Sequence, residues 1–133
     1  MLQVMPHFSK LTNGGILTDV QAGLAALRAD PRVDPARISV IGFCVGGLAT
    51  FLAAAHTDAA AFEAFYGGGL DQSIPAEDVA AIDTTLTSLG KTHQTVTLPE
   101  GGHGFACDDR AAFHQPSNDD AWRITYEWPE ANL

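Results

Sequence analysis

The sequence predicts an α/β fold, three layers deep (α/β/α), around a small and mainly parallel sheet. Two observations carry this. Segments with helical spacing alternate with short β-branched runs along the chain, the pattern of strands joined by helical crossovers. The run Ile38-Ser-Val-Ile-Gly-Phe43 carries no charge, as suits a strand buried on both faces. The length, 133 residues, fits one domain over residues 1–133.

Taken in order, residues 1–15 show little pattern, and Asn13-Gly14-Gly15 reads as a turn. Leu17, Val20, Leu24 and Leu27 then share one helix face, with Asp19 and Arg28 off it. Two prolines between Ala29 and Pro35 end that helix, and Asp34-Pro35 turns the chain into the Ile38–Phe43 strand. Val45 to Ala55 reads as helix and Ala59 to Tyr66 as strand. Pro75 suits the first position of a helix carrying Val79, Ile82, Leu86 and Leu89, with Gly90 as its C-terminal stop. Thr95-Val-Thr-Leu98 alternates like a strand. A long Gly/Asp/His loop follows to Pro116, then a helix starting near Ser117 and closed by Pro129.

Composition excludes several functions. The chain is 46% hydrophobic and 17% charged, a globular balance, and its formal net charge is −9. Such an acidic chain repels phosphate backbones and anionic membrane surfaces, so neither nucleic acid nor membrane is an expected partner. Ile38 to Ala55 is uncharged for eighteen residues, near the lower limit for a membrane span. Its glycines, with β-branched residues before them and Ala/Leu after, fit a strand, turn and buried helix better. Two cysteines, Cys44 and Cys107, form neither a disulfide framework nor a CxxC pair. The N-terminus shows no basic patch leading into an apolar run, so a cytoplasmic setting is expected.

The segment richest in chemistry is Gly42-Phe43-Cys44-Val45-Gly46, a G-x-C-x-G between a predicted strand and a predicted helix. This is the nucleophile-elbow pattern with cysteine in the central place. The tight turn calls for glycines on both sides. A thiol there lies at a helix N-terminus, where the dipole favours thiolate and the Val45 N–H can face an oxyanion. A close-packed crossing with Cys44 as a small buried hydrophobe fits the same five residues. A thiolate needs a base and the base an orienting acid. His103, on the glycine loop Gly101-Gly-His-Gly-Phe105 after a strand, fits the base better than His7, His56, His93 or His114, and also fits a plain turn. Asp71, after Gly67-Gly68-Gly69-Leu70, is the candidate acid, with Asp78, Asp108 and Asp109 as rivals. The order nucleophile, acid, histidine is that of α/β-hydrolases.

Together, Gly42-Phe-Cys-Val-Gly-Gly47, Ala64-Phe-Tyr-Gly-Gly68, Asp71-Gln-Ser-Ile-Pro75 and Gly101-Gly-His-Gly-Phe105 resemble the dienelactone hydrolase family, as does Arg32-Val-Asp-Pro-Ala-Arg-Ile-Ser-Val40. The likeness runs from about Leu17 to the C-terminus and implies a partial α/β-hydrolase fold. It further implies Cys44 as nucleophile, Asp71 as acid and His103 as base, acting on a small-molecule ester, lactone or thioester through an acyl-cysteine, with no cofactor and no metal. Three departures stand out. Family members are longer at the N-terminus, where strands and a second oxyanion donor reside. They carry a further strand before the acid, whereas only Leu70 separates Gly69 from Asp71 here. Where dienelactone hydrolases hold a substrate carboxylate with an arginine four residues past the histidine, this chain has Cys107, which leaves Arg110 as the substrate-binding candidate.

Two other readings compete. A non-catalytic relative could serve as a binding or assembly module, since a three-stranded sheet leaves exposed edges that invite a homodimer. His103, Cys107 and His114, with Asp108 and Asp109 beside them, are metal-ligand types at loose spacing. The aromatic residues Phe105, Phe113, Trp122, Tyr126 and Trp128 read as core and lid packing.

Overall fold

The computed structural model describes residues 5–58 and 64–132. Helix α1 spans Met5–Phe8, α2 Asn13–Ala29 and α3 Val45–His56; strand β1 spans Ala64–Gly68, α4 Ala76–Ser88, β2 Gln94–Leu98 and α5 Gln115–Asn132. The strands pair in parallel, from Ala64 opposite Gln94 to Gly68 opposite Leu98. Parallel neighbours need a crossover, and α4 supplies it, packing on both strands while α5 packs on β1.

Local chemistry accounts for the helix ends, twice against expectation. Asn13-Gly14-Gly15 begins α2 instead of forming a free turn, because Thr12 caps it and its Oγ1 accepts the Gly15 N–H at 3.1 Å. Pro129 does not close α5, which continues to Asn132, whose Nδ2 donates to the Trp128 carbonyl at 2.9 Å. Elsewhere the expected signals act as read. Asp30 caps the end of α2, and Asp34 turns the chain by accepting the Ala36 N–H at 3.0 Å. Pro75 sits at the N-cap of α4, one place earlier than expected, and Gly90 follows that helix with a φ of +65°.

Ile38–Phe43 is the largest departure. No strand forms there, since β1 and β2 make the two-stranded sheet found among the described residues. A ladder needs a neighbour as well as an apolar sequence. Ile38 is buried instead by helix: it packs with Leu24, Val20, Val33 and Val40. Of the strand expected over Ala59 to Tyr66, residues 59–63 lie outside the described residues, and Ala64 to Tyr66 fall within β1.

Two further clusters complete the core. Ala54 of α3 and Leu86 of α4 are fully buried against Phe51, Ala55 and Ile82, which joins the elbow helix to the crossover helix. Leu98, Phe105 and Ala121 are buried with Val96 and Ala106, which anchors the loop after β2 onto α5. Of the periodic leucines, Leu27 and Leu89 end up exposed at helix ends. Among the described residues no helix is long and apolar enough to cross a membrane. Leu86→Ala should cost about 2–5 kcal/mol, because the site cannot collapse around the lost methyls; urea unfolding of the variant measures this.

Candidate active site

The elbow is a sharp reversal in the backbone. Cys44 sits at φ 55°, ψ −121°, at positive φ for a non-glycine residue. The turn is closed by Gly46 N–H donating to the Phe43 carbonyl at 2.9 Å and Gly47 N–H to the Cys44 carbonyl at 3.0 Å. A Cβ on Gly42 would lie 2.0 Å from the Gly46 carbonyl oxygen, so no other residue fits there without moving backbone. Gly46 is different: a Cβ there would meet nothing within 4 Å, so the second glycine of the pattern is not required by crowding among the described residues.

Asp71 and His103 follow the ends of β1 and β2, and their loops are tied together. Gly69 N–H donates to the Leu98 carbonyl at 2.8 Å, and Leu70 N–H to the Gly101 carbonyl at 2.9 Å. The approach is so close that a Cβ on Gly68 would lie 2.3 Å from the Gly101 carbonyl oxygen.

The three predicted residues meet. His103 Nε2 is 3.4 Å from Cys44 Sγ, and His103 Nδ1 is 2.9 Å from Asp71 Oδ2. The Asp71 side chain is 5% exposed and the His103 side chain 31%. Asp71 Oδ1 also accepts the Ser73 N–H at 2.7 Å and the Ile74 N–H at 3.3 Å. Burial works against the carboxylate. The His103 hydrogen bond, the Ser73 N–H, the histidine's charge and the Ile74 N–H outweigh it, and hold Asp71 below its usual range. An ionised carboxylate only accepts, so Nδ1 carries the proton. Nε2 is then the nitrogen that faces the thiol, able to take its proton.

Cys44 and His103 open into a cavity of about 320 Å³ that Phe43, Trp122, Cys107 and Arg110 also line. Arg28, Arg32 and Arg123 each meet a carboxylate, whereas Arg110 meets none among the described residues. Its side chain lies over Gly104, beside the histidine. Val45 opens α3, so its N–H has no partner within the helix.

Of the other sequence candidates, Cys107 lines the same cavity, whereas His114 and His93 do not. Among the described residues no three His, Cys, Asp or Glu side chains gather to hold a metal. His114 bonds Ser117 Oγ at 2.8 Å and faces Glu100, and Cys107 is exposed. His93 lies between the Lys91 carbonyl and Asp83. Of the aromatic residues, Phe105 is core, but Trp122 and Tyr126 are exposed. They stack with centroids 5.8 Å apart, and Trp122 also meets Phe43 at 6.0 Å. Trp122 is a cavity wall that the sequence reading assigned to packing. The Ser73 and Ile74 contacts were also missed, although Asp71-Gln-Ser has the form of an Asx turn.

The model of the dienelactone hydrolase family matches residues 2–70 and 65–132. The chain belongs to the dienelactone hydrolase family. Curated relatives from Synechocystis sp. and Methylorubrum extorquens, both named "Putative carboxymethylenebutenolidase", are 30% and 29% identical over 81% and 90% of this chain. The matches cover 56% and 52% of those relatives, so this chain spans about half their length. A crystal structure titled as a "Putative Dienelactone Hydrolase", from Klebsiella pneumoniae, superposes with a TM-score of 0.75 at 26% identity, covering 92% of this chain and 63% of that one. The fold is therefore a partial α/β-hydrolase fold, as the sequence predicts. The family model's two stretches share residues 65–70, at the end of β1 and the turn that leads to Asp71.

Two outcomes test this geometry. Gly42→Ala should destabilise by about 1–3 kcal/mol or more by overpacking. Gly46→Ala should be neutral or up to about 1 kcal/mol stabilising as a better helix former; thermal melts of both variants compare them. Because folding lowers the Asp71 pKa, its stabilisation is complete above the unfolded carboxyl value of about 3.9 and is lost as pH falls through the lower folded value. The stability gap between wild type and Asp71→Asn, read by urea unfolding, should be flat above about pH 5 and shrink below about pH 4.

Proposed function

We propose that the chain is a hydrolase that cleaves an ester, lactone or thioester through an acyl-cysteine. The single observation that carries this reading is the unbroken row from Cys44 Sγ through both ring nitrogens of His103 to Asp71. Family membership and the relatives named above support the same class of reaction.

In this reading the Cys44 sulfur attacks the carbonyl carbon, and its proton passes to His103 Nε2. The carbonyl electrons move onto oxygen, which the Val45 N–H at the start of α3 stabilises as one oxyanion donor. The bond from the carbonyl carbon to the leaving oxygen, or to the leaving sulfur of a thioester, then breaks, and His103 returns the proton to that leaving atom. Water adds to the thioester with His103 taking its proton; the second tetrahedral adduct releases the acid and restores the thiol. Asp71 keeps the ring in the right tautomer and offsets the positive charge it carries in both steps. Arg110, cationic and, among the described residues, without a carboxylate of its own, binds an anionic group of the substrate in the cavity it lines with Cys44 and His103. Every step uses only side chains and backbone of the chain, so no cofactor or metal is invoked.

Exposed Ile41, in a segment that joins no sheet among the described residues, favours a second reading as an assembly module that pairs copies of the chain. Ester turnover separates the two. On p-nitrophenyl acetate, Cys44→Ala and His103→Ala should each lower kcat by about 10³-fold or more, and Asp71→Asn by a comparable factor. Wild-type rates in the Cys44→Ala variant would remove Cys44 as nucleophile, and an inactive wild-type chain that sediments as a dimer would favour the module. Arg110→Ala should raise KM for a carboxylate-bearing ester by about tenfold, with little effect on a neutral one.

A further inference from the structure

Cys44 and His103 border two cavities, and the reading above employs only the smaller. The second measures about 710 Å³, inside the range of roughly 300–1,000 Å³ for small-molecule sites. Its walls include Phe8, Leu48, Phe51, Ile74 and Ile82, and it too opens on the thiol and the imidazole. Among the described residues lining it there is no lysine or arginine, while Asp78 and Ser73 lie on its wall.

We propose that this second cavity takes the acyl chain of the substrate, and that this chain is neutral, apolar and of medium length. The inference rests on the hydrolase reading and assigns a side of the scissile bond to each cavity. Val45 lines the large cavity and not the small one. A carbonyl oxygen held at the Val45 N–H sets the acyl carbon at the mouth of the large cavity, beside the sulfur. The chain on that carbon then runs between α3 and α4, and the leaving oxygen faces His103 and the Arg110 cavity. Acylation balances as before: the Sγ–C bond forms, the C–O bond breaks, and the thiol proton leaves with the alcohol. A carboxylate at the end of the acyl chain would meet Asp78 with no cation to offset it, which selects against diacid esters on this side. Each methylene moved from water into apolar walls is worth up to about fourfold in binding, so chain length should be read directly in kcat/KM.

The test compares p-nitrophenyl octanoate with p-nitrophenyl acetate. For the wild-type chain the octanoate should be preferred by about tenfold or more in kcat/KM. Ala81 also lines the cavity, from an exposed position on α4, so a larger side chain there fills the cavity without entering the core. Ala81→Trp should abolish the octanoate preference, bringing the octanoate-to-acetate ratio of kcat/KM down to about one. A wild-type ratio of one or less, or a ratio that Ala81→Trp does not change, overturns the assignment. If neither ester is cleaved, the hydrolase reading fails on its own. The cavity is then judged by calorimetry of octanamide on the Cys44→Ala chain. One molecule should bind per chain and be lost on adding Ala81→Trp; no binding, or binding that survives the tryptophan, overturns the proposal.

Discussion

The site depends on a backbone bend that most residues would refuse. A non-glycine at φ 55° costs of order 1–3 kcal/mol and persists only where its surroundings impose it. Here the imposing features are a missing side chain at Gly42, two turn hydrogen bonds and the packing of α3 against α2 and α4. The bend lifts the Cys44 sulfur out of the α3 packing and aims it at the loop after β2. A relaxed turn would leave the thiol among the apolar side chains of α3, and the histidine would have nothing to activate.

Acid and base are positioned by a different device. Their loops leave the carboxyl ends of two adjacent parallel strands, where α/β folds gather their ligands. Backbone hydrogen bonds join the loops before any side chain takes part. The Asp71–His103 pair is thus preassembled within one unit, the β1–α4–β2 crossover. Cys44 arrives from another unit, the α2–α3 pair. The fully buried Ala54–Leu86 contact joins α3, which carries Cys44 at its start, to α4 of the other unit. A packing defect there would act on chemistry without touching a reacting group.

The helices and the site were legible in the sequence for the same reason: both are written in local spacing. Leu24, Leu86 and Leu52 fall at helical intervals and are buried. G-x-C-x-G announces a turn whose first glycine is fixed by contact within six residues. Asp71 and His103 follow glycine-rich strand ends, so their placement on one edge follows from topology. What was not legible depends on partners distant in sequence. Ile38–Phe43 has the composition of a strand, yet among the described residues it joins no ladder, and Ile38 is buried against Leu24 and Val20 instead. Trp122 reads as core or lid packing from its type, and only the structure shows that it lines the cavity and meets Phe43 there. Pro129 shows the limit of breaker residues, since α5 runs through it.

Charge completes the account of what the cavity can receive. With a net −9, the protein repels anions at long range, and salt softens that repulsion beyond about 10 Å. An anionic substrate therefore gains little from steering and relies on a short-range contact. Arg110 is suited to that role because it lines the cavity and, unlike Arg28, Arg32 and Arg123, meets no carboxylate among the described residues. The same reasoning separates the two cavities. One carries a cation beside His103, and the other carries Asp78 and apolar walls. A substrate that is anionic at one end and apolar at the other would fit in only one orientation, with its scissile carbonyl at the sulfur between them.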